Sequence, residues 1–443
     1  MQKMKWSVIA FAVAAASTQM AVASQQSESN GFIEDSQLDL HARTLYFNRD
    51  FKNDHDRDFN SYNEDTGLGL KAIYESGFTQ GTVGFGVDAF GMAGFRLDSG
   101  RGRTGNNQFP VRDNGKAEKA YGQAGAAVKA RLSSTTLKYG NQFVDLPVLS
   151  MDDARLLPQS TTGFLVTSEE LDGLVLHAGH FTAISDLDQT GRNSNEEGWL
   201  RSLDLIGGRY NITDDLSAAY YYSDADLGKK ADGRLKAKKH YLNVNYNYPI
   251  ADDQSVTVDF NAYSTRVRDR DDAYALTNSG NRTGKNNIRS LAVAYNLGAH
   301  TFTLGKQCVE GNLNGGYLYG YDGGGSVYVL NDVQYHWFGS KGEKSYQARY
   351  DLDFAQFGVP GLSFMTRYVR GSKIEDANGR NQGKNWERDT DLRYVVQSGA
   401  AKDLSLHLRN ATYRANSGAH FATGGRADVN EVRFIVEYPL SIL

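Results

Sequence analysis

The chain has 443 residues, with 26 tyrosines, 21 phenylalanines and 47 glycines but only 6 prolines, and a mean hydropathy of −0.52. A formal net charge of −4 leaves no basic footprint for nucleic acid, and no stretch of 18 apolar residues exists to make a transmembrane helix. A chain rich in aromatics and glycine, yet hydrophilic on average, suits a barrel with a wet lumen and aromatic girdles.

At the N-terminus, Lys3 and Lys5 precede the apolar run Trp6–Ala16, and Ala21-Val22-Ala23 offers a small-residue cleavage site before Ser24. Residues 1–23 are therefore expected to be a cleaved signal peptide, with 24–443 forming one transmembrane barrel domain. The lone Cys308 rules out an intramolecular disulfide, and zinc-type Cys/His spacing is absent, so no metal and no cofactor is expected.

From residue 37 onward, eighteen segments alternate polar and apolar residues. The predicted strands are 37–48, 66–77, 81–95, 120–132, 135–142, 163–170, 173–183, 201–211 and 215–226. They continue at 237–249, 254–266, 286–297, 300–309, 343–355, 361–370, 387–398, 402–414 and 429–440. Some connections are tight, such as Ser133-Ser134, Leu171-Asp172 and Gly298-Ala299. The intervening ones are long: 96–119, 143–162, 184–200, 267–285, 310–342 and 371–386. Short turns on one side and long loops on the other predict an all-β fold, an 18-stranded antiparallel transmembrane β-barrel with short periplasmic turns and long external loops. An even strand number puts both termini on the short-turn side. A soluble sandwich would show the same alternation, but the signal peptide and the two loop lengths favour the barrel.

The alternation also assigns faces. In Leu404–Arg409, leucines 404, 406 and 408 form one face, and Ser405, His407 and Arg409 the other. The polar parity collects Arg43, Lys129, Arg131, Lys138, Arg349, Arg367, Arg393, Arg409 and Arg433. Strand eighteen must pair with strand one, so Arg349, Arg367, Arg393, Arg409, Arg433 and Arg43 form one wall. A permanently charged planar guanidinium matches a carboxylate, and a row of them can pass an anion along through weak successive contacts. For any single arginine, a structural ion pair with a lumen acid such as Asp39, Asp351, Asp353 or Glu437 is an equal alternative.

Two loops stand out. Loop 143–162 is too apolar for an external loop and is expected to fold inward and narrow the lumen. Asp152, Asp153 and Arg155 would then face the bore. Loop 310–342 carries Gly323-Gly324-Gly325-Ser326 with Tyr317, Tyr319, Tyr321, Asn331 and Asp332. Its segment 327–338 is read as folding inward or over the mouth. No phosphate-loop lysine and helix follow the glycines.

Several stretches resemble the OprD family of substrate-specific outer-membrane porins. They are Gly31–Ser36, Tyr46–Asp50, Tyr74–Ala89, Arg155-Leu156-Leu157-Pro158-Gln159 and the ending Tyr438–Leu443. The resemblance implies 18-stranded barrels, often loosely trimeric, that pass small carboxylate-bearing solutes along a basic ladder through an eyelet narrowed by inward loops. The ladder carries over best to Arg409, Arg393, Arg433, Arg43, Lys129 and Arg131. His407 occupies a slot where some relatives have arginine. Gly325 stands where basic-amino-acid channels of the family have an acid, which shifts the expected substrate toward simple or aromatic carboxylates. Asp152 and Asp153 offer an acidic side from a different loop.

The expected function is passive, substrate-selective diffusion of small carboxylates across the bacterial outer membrane, with no catalytic residue. The alternative is a channel of the same family for basic amino acids or peptides and carbapenem-type antibiotics. A barrel enzyme would need a Ser-His-acid set, and only Ser168, Glu169, His177 and His180 tempt. Expected partners are small carboxylate solutes, outer-membrane lipids, the barrel-assembly machinery and a weak homotrimer.

Overall fold

The structure, a computed structural model, describes residues 24–52, 61–194, 200–228, 233–270, 276–277, 280–314, 316, 327–376, 379–419 and 428–441. The expected signal peptide, 1–23, lies outside the described residues, as does Ser326. The strands in chain order are β1 (Gln37–Lys52), β2 (Tyr62–Glu75), β3 (Val83–Asp98), β4 (Ala120–Leu132) and β5 (Thr135–Gln142). A small hairpin follows, β6 (Asp145–Leu146) and β7 (Leu149–Ser150). Then come β8 (Ser160–Leu171), β9 (Leu174–Ser185), β10 (Leu200–Asn211), β11 (Leu216–Leu227), β12 (Leu235–Ala251), β13 (Gln254–Asp269) and β14 (Thr283–Leu297). The series ends with β15 (His300–Gly311), β16 (Lys344–Asp353), β17 (Leu362–Glu375), β18 (Asn381–Val395), β19 (Ser405–Ala415) and β20 (Asp428–Ser441).

All but β6 and β7 form one 18-stranded antiparallel sheet. β1 pairs with β2 on one side and with β20 on the other, where Arg43 faces Glu437 and Phe47 faces Arg433, so the sheet closes on itself. Closure removes every free edge, which a strand in lipid cannot tolerate. Each predicted strand has its counterpart. The largest disagreement is at β17 and β18, which run on to Glu375 and begin at Asn381. The buried positions at this end of β18 are Gly383 and Asn385, which carry no apolar side chain. Alternation then vanishes from Asn381-Gln382-Gly383-Lys384 although the ladder continues.

Phe85, Ile206 and Leu304 stand exposed on the outer wall, as side chains that meet lipid must. The inner wall has two characters. On β9–β14 it carries Phe181, Leu203, Leu205, Tyr221, Tyr241, Tyr263 and Ile288, all buried. They are buried because Val144, Leu146, Val148 and Leu149 of the inward loop, with Val327 and Val329 of the second loop, pack on them in one cluster. Loop 143–159 thus folds inward, as its apolar composition demanded. A smaller cluster seats Leu156 and Leu157 against Leu45, Phe47 and Phe109.

Two glycines admit these loops. A Cβ on Gly69 would lie 2.6 Å from the Leu156 carbonyl oxygen, and one on Gly305 would lie 2.1 Å from the Leu330 side chain. Neither loop could sit so close to the wall past a larger residue.

Candidate functional site

The opposite inner wall, β16–β20 and β1, is a charged mosaic. Across the ladder, Arg349 faces Arg367, Arg367 faces Asp389, Asp391 faces Arg409, and Arg409 faces Arg433. Inward parity on neighbouring strands puts these side chains in rows. Asp389, Asp391 and Arg393 alternate along β18, and Glu431 and Arg433 along β20.

All nine cations collected on the polar parity lie on the lumen side, but their surroundings differ. Arg43 donates through Nε to Glu437 (2.8 Å), and through Nη1 to Asp153 (2.7 Å) and the Arg155 carbonyl (2.7 Å). Buried Arg433 donates through Nε to Glu431 (2.7 Å), through Nη1 to the Ala154 carbonyl (3.3 Å), and through Nη2 to the Gln334 carbonyl (3.2 Å). These two guanidiniums are spent on clamping the inward loops to the wall. Arg349 grips Asp351 with two nitrogens (2.8 and 2.6 Å). Lys129 pairs with Asp88 (2.6 Å), as does Lys138. Arg131 lies over the Phe78 ring and bonds Gln26 (3.0 Å), stapling the N-terminal segment beneath the barrel.

Arg367, Arg393 and Arg409 differ from these. Arg367 uses Nε on Asp389 (2.5 Å). Arg409 uses Nε on the Asp391 oxygens (3.3 and 3.2 Å), and Arg393 uses Nε on the Ser405 hydroxyl (2.9 Å). Among the described residues, the terminal nitrogens of these three have no hydrogen-bond partner. Arg393 also has no described acid in ion-pair range and is exposed to the bore. Beside it His407 approaches Asp391 at 3.4 Å. Below the constriction, Arg349, Arg393, His407, Asp391, Asn245 and Asp259 line a cavity of about 1790 Å³ that opens at the short-turn end.

The acids gather on the loops. Asp153 takes the Arg43 fork, and Asp152 accepts from the Ala154 N–H (2.6 Å). Asp332 accepts from the Val327 N–H (3.1 Å). Burial pushes its carboxyl up to about 7; the Asp152 charge adds to that, and Arg367 opposes it. Asp332 is thus placed between the acidic loop and the basic wall. Arg155 bonds the Asn106 carbonyl (2.8 Å) and stacks on Phe47, the ring that also carries Arg433 and Arg49. Asn331 is fully buried; its side chain bonds Ser345 (2.7 Å) and Gln347 (2.8 Å), so it fastens the loop to the wall.

Segment 327–338 crosses the lumen, as expected of it. Tyr263 donates to the Pro147 carbonyl (2.9 Å) and accepts from the Tyr328 N–H (3.1 Å). At the far end the Tyr335 and His336 N–H groups donate to Glu387 (2.8 and 2.9 Å), and Gln334 donates to Glu431 (3.0 Å). Reading the sequence for cations missed Asp88, Glu387, Asp389, Asp391 and Glu431. Their signal was present: each shares the inward parity of a strand already assigned. The Ser168, His177 and His180 cluster does not assemble. Ser168 bonds Thr135 (2.9 Å), His177 bonds Tyr221 (3.1 Å), and His180 pairs with Asp204 (2.7 Å) on the outer face.

A closed 18-stranded barrel whose aqueous bore is narrowed by two inward loops has the build of a channel of the bacterial outer membrane. A family model for "outer membrane porin, OprD family" matches residues 30–442, and the chain belongs to that family. It is 45% identical to Porin D of Pseudomonas aeruginosa over the full length of both chains. It is 31% identical to the porin-like protein GalP of Pseudomonas putida, covering 94% of this chain and 95% of that one. Among solved structures, Acinetobacter baumannii OccAB1 superposes with a TM-score of 0.85 at 34% identity, over 95% of this chain and all of the other. Pseudomonas aeruginosa OpdK, solved with vanillate, gives 0.75 at 31% identity, over 93% of this chain and all of that one.

Proposed function

We propose that this porin passes small carboxylate-bearing solutes by passive diffusion, with Arg367, Arg409 and Arg393 as successive hand-holds. The observation that carries this reading is the difference in saturation along the basic wall. Arg43 and Arg433 are held by the loops, whereas the terminal nitrogens of Arg367, Arg393 and Arg409 have no described protein partner. A carboxylate leaving bulk water at the constriction needs replacement donors, and a fork whose Nε is already anchored presents its two outer nitrogens in a fixed direction. Asp389 and Asp391 behind them keep each contact shallow, which favours release over trapping. The relative solved with vanillate, an aromatic carboxylate, is consistent with this class.

Asp152 and Asp332 favour a second reading, in which the carboxylate also bears a cation, as in a basic amino acid. The two readings separate in one experiment. Porin reconstituted in liposomes is challenged with benzoate, succinate, arginine and a neutral sugar of similar size. Carboxylate flux should fall about tenfold in Arg393→Ala/Arg409→Ala while sugar flux barely changes. Equal losses for carboxylates and sugar would refute the hand-holds. Arginine flux exceeding both acids, and falling in Asp152→Asn, would establish the second reading.

A further inference from the structure

The outer wall carries a cluster of charge that transport does not use. On the outer face of β13–β18 each strand points at least one exposed cation away from the lumen: Arg266 and Lys285 near the long-loop ends, and Lys306, Lys344, Arg370 and Arg388, of which Lys306 and Arg388 lie at mid-strand. Arg266 and Lys285 lie directly opposite in the ladder. Lys306 and Arg370 flank Tyr346 from either side, and Arg388 faces Tyr368. Like charges side by side on one sheet face are unfavourable without a counterion. The acids nearby are engaged elsewhere. Asp224 takes Lys236 (3.2 Å) and Lys238 (3.4 Å), Asp226 takes Arg270 (2.7 Å), and Glu310 takes Arg289 (2.8 Å). Among the described residues, no acid lies in ion-pair range of the six.

Their height is as informative as their charge. The cations do not follow one ladder row. Arg266 and Lys285 share a row, Lys344 sits in a row nearer the barrel's middle, Lys306 and Arg370 in the next, and Arg388 in the next again. Lys306 lies one row past Lys344, in the row of Phe260 and Leu291; the other five step in strand order, as a level line around a barrel of tilted strands does. Toward the membrane centre from the cations, each strand turns apolar, at Phe260, Leu291, Leu304, Ala348, Phe364 and Leu392. The band therefore sits where the outer leaflet's headgroups begin. The opposite flank has nothing similar: the outward residues of β3–β5, among them Phe85, Val87, Val128, Leu137 and Tyr139, include no lysine or arginine.

We infer that the β13–β18 flank is a docking surface for the phosphorylated sugars of the outer leaflet's glycolipid. The phosphates bridge neighbouring cations while the acyl chains lie on the apolar residues beneath. Anionic headgroups attract such juxtamembrane clusters additively, and phosphate oxygens can bridge two guanidinium or ammonium groups at once.

The test uses the whole porin in detergent micelles. It is titrated with purified lipid A, with lipid A stripped of its phosphates, and with inorganic phosphate, and bound lipid is counted by native mass spectrometry. Lipid A should bind the parent protein at least tenfold more tightly than Arg266→Gln/Lys285→Gln/Lys306→Gln/Arg370→Gln. The stripped lipid should bind both proteins equally weakly, while Arg266→Lys/Arg370→Lys keeps most of the affinity. Unchanged single-channel conductance and heat-modified gel migration verify that the variant is folded. If the fourfold variant does not assemble, Arg266→Gln/Lys285→Gln and Lys306→Gln/Arg370→Gln carry the same comparison. Equal lipid A affinity in parent and variant, or no effect of removing the phosphates, would overturn the inference. So would displacement of the lipid by low millimolar inorganic phosphate, which would indicate an isolated anion pocket.

Discussion

The two halves of the inner wall solve opposite problems. On β9–β14, Phe181, Leu205, Tyr241 and Tyr263 are covered by Val148, Leu149 and Val329, and the contacts are dry and interlocked. On β16–β20 and β1, Arg349, Arg367, Arg409 and Arg433 alternate with Asp351, Asp389, Asp391 and Glu431. The first half fixes how wide the bore is, because its packing anchors both inward loops. On the function we propose, the second sets which solutes the bore favours, because Arg393 and Arg409 face the bore while Asp391 stands beside them. Hydrophobic burial tolerates no partial occupancy, whereas a charged lattice can exchange one partner for another at little cost. That difference lets one barrel be both narrow and conducting.

The sharpest way to break the contrast is to wet the dry half. Val148→Asp/Leu149→Asp places two charges against Phe181 and Tyr241 and should release loop 143–159. Single-channel conductance is expected to rise severalfold, with loss of discrimination between carboxylates and sugars; an unchanged conductance would mean that the apolar cluster does not set the width. The next largest effect falls on the clamp. Arg433→Ala strips Glu431 of one of its two guanidiniums and frees the Ala154 and Gln334 carbonyls. Breaking a buried pair in this way costs on the order of 3 kcal/mol, read as a lower midpoint in heat-modified gel migration. Arg393→Ala should leave that midpoint unmoved.

A smaller, pH-dependent effect belongs to Asp332, whose carboxyl burial raises to about 7. An acid raised on folding contributes stability in full below its unfolded value near 4, and loses that contribution as pH climbs through 7. Above that point the loop carries one more negative charge. The cation-over-anion permeability ratio, from reversal potentials, is expected to rise between pH 6 and 8 in the parent and to stay flat in Asp332→Asn. The smallest effect is Tyr263→Phe, which removes the hydroxyl linking the Pro147 carbonyl to the Tyr328 N–H. It should cost about 1 kcal/mol and increase open-channel noise without altering selectivity.

Much of this was legible in the residues. Strand alternation located each barrel strand, because a wall between lipid and water forces a period of two on its side chains. The inward loop was legible too, since Val144–Leu149 has no reason to be apolar outside. Which acid stands behind which arginine was not, although Asp389 and Asp391 share their face with Arg393. A count of charges on one strand cannot say which neighbour across the ladder each will meet; that depends on register, and a two-residue stagger would pair Arg409 differently. Nor could the sequence reveal that Arg43 and Arg433 are bound to carbonyls of distant loops, because a main-chain acceptor leaves no mark in side-chain composition.

One guanidinium, that of Arg433, touches the backbone of both inward segments, at Ala154 and at Gln334. The aperture is therefore not adjustable one rim at a time. Grafting either segment alone from a sister channel would shift the shared peg and disturb its counterpart, so retailoring this porin for another nutrient requires exchanging the two as a matched set.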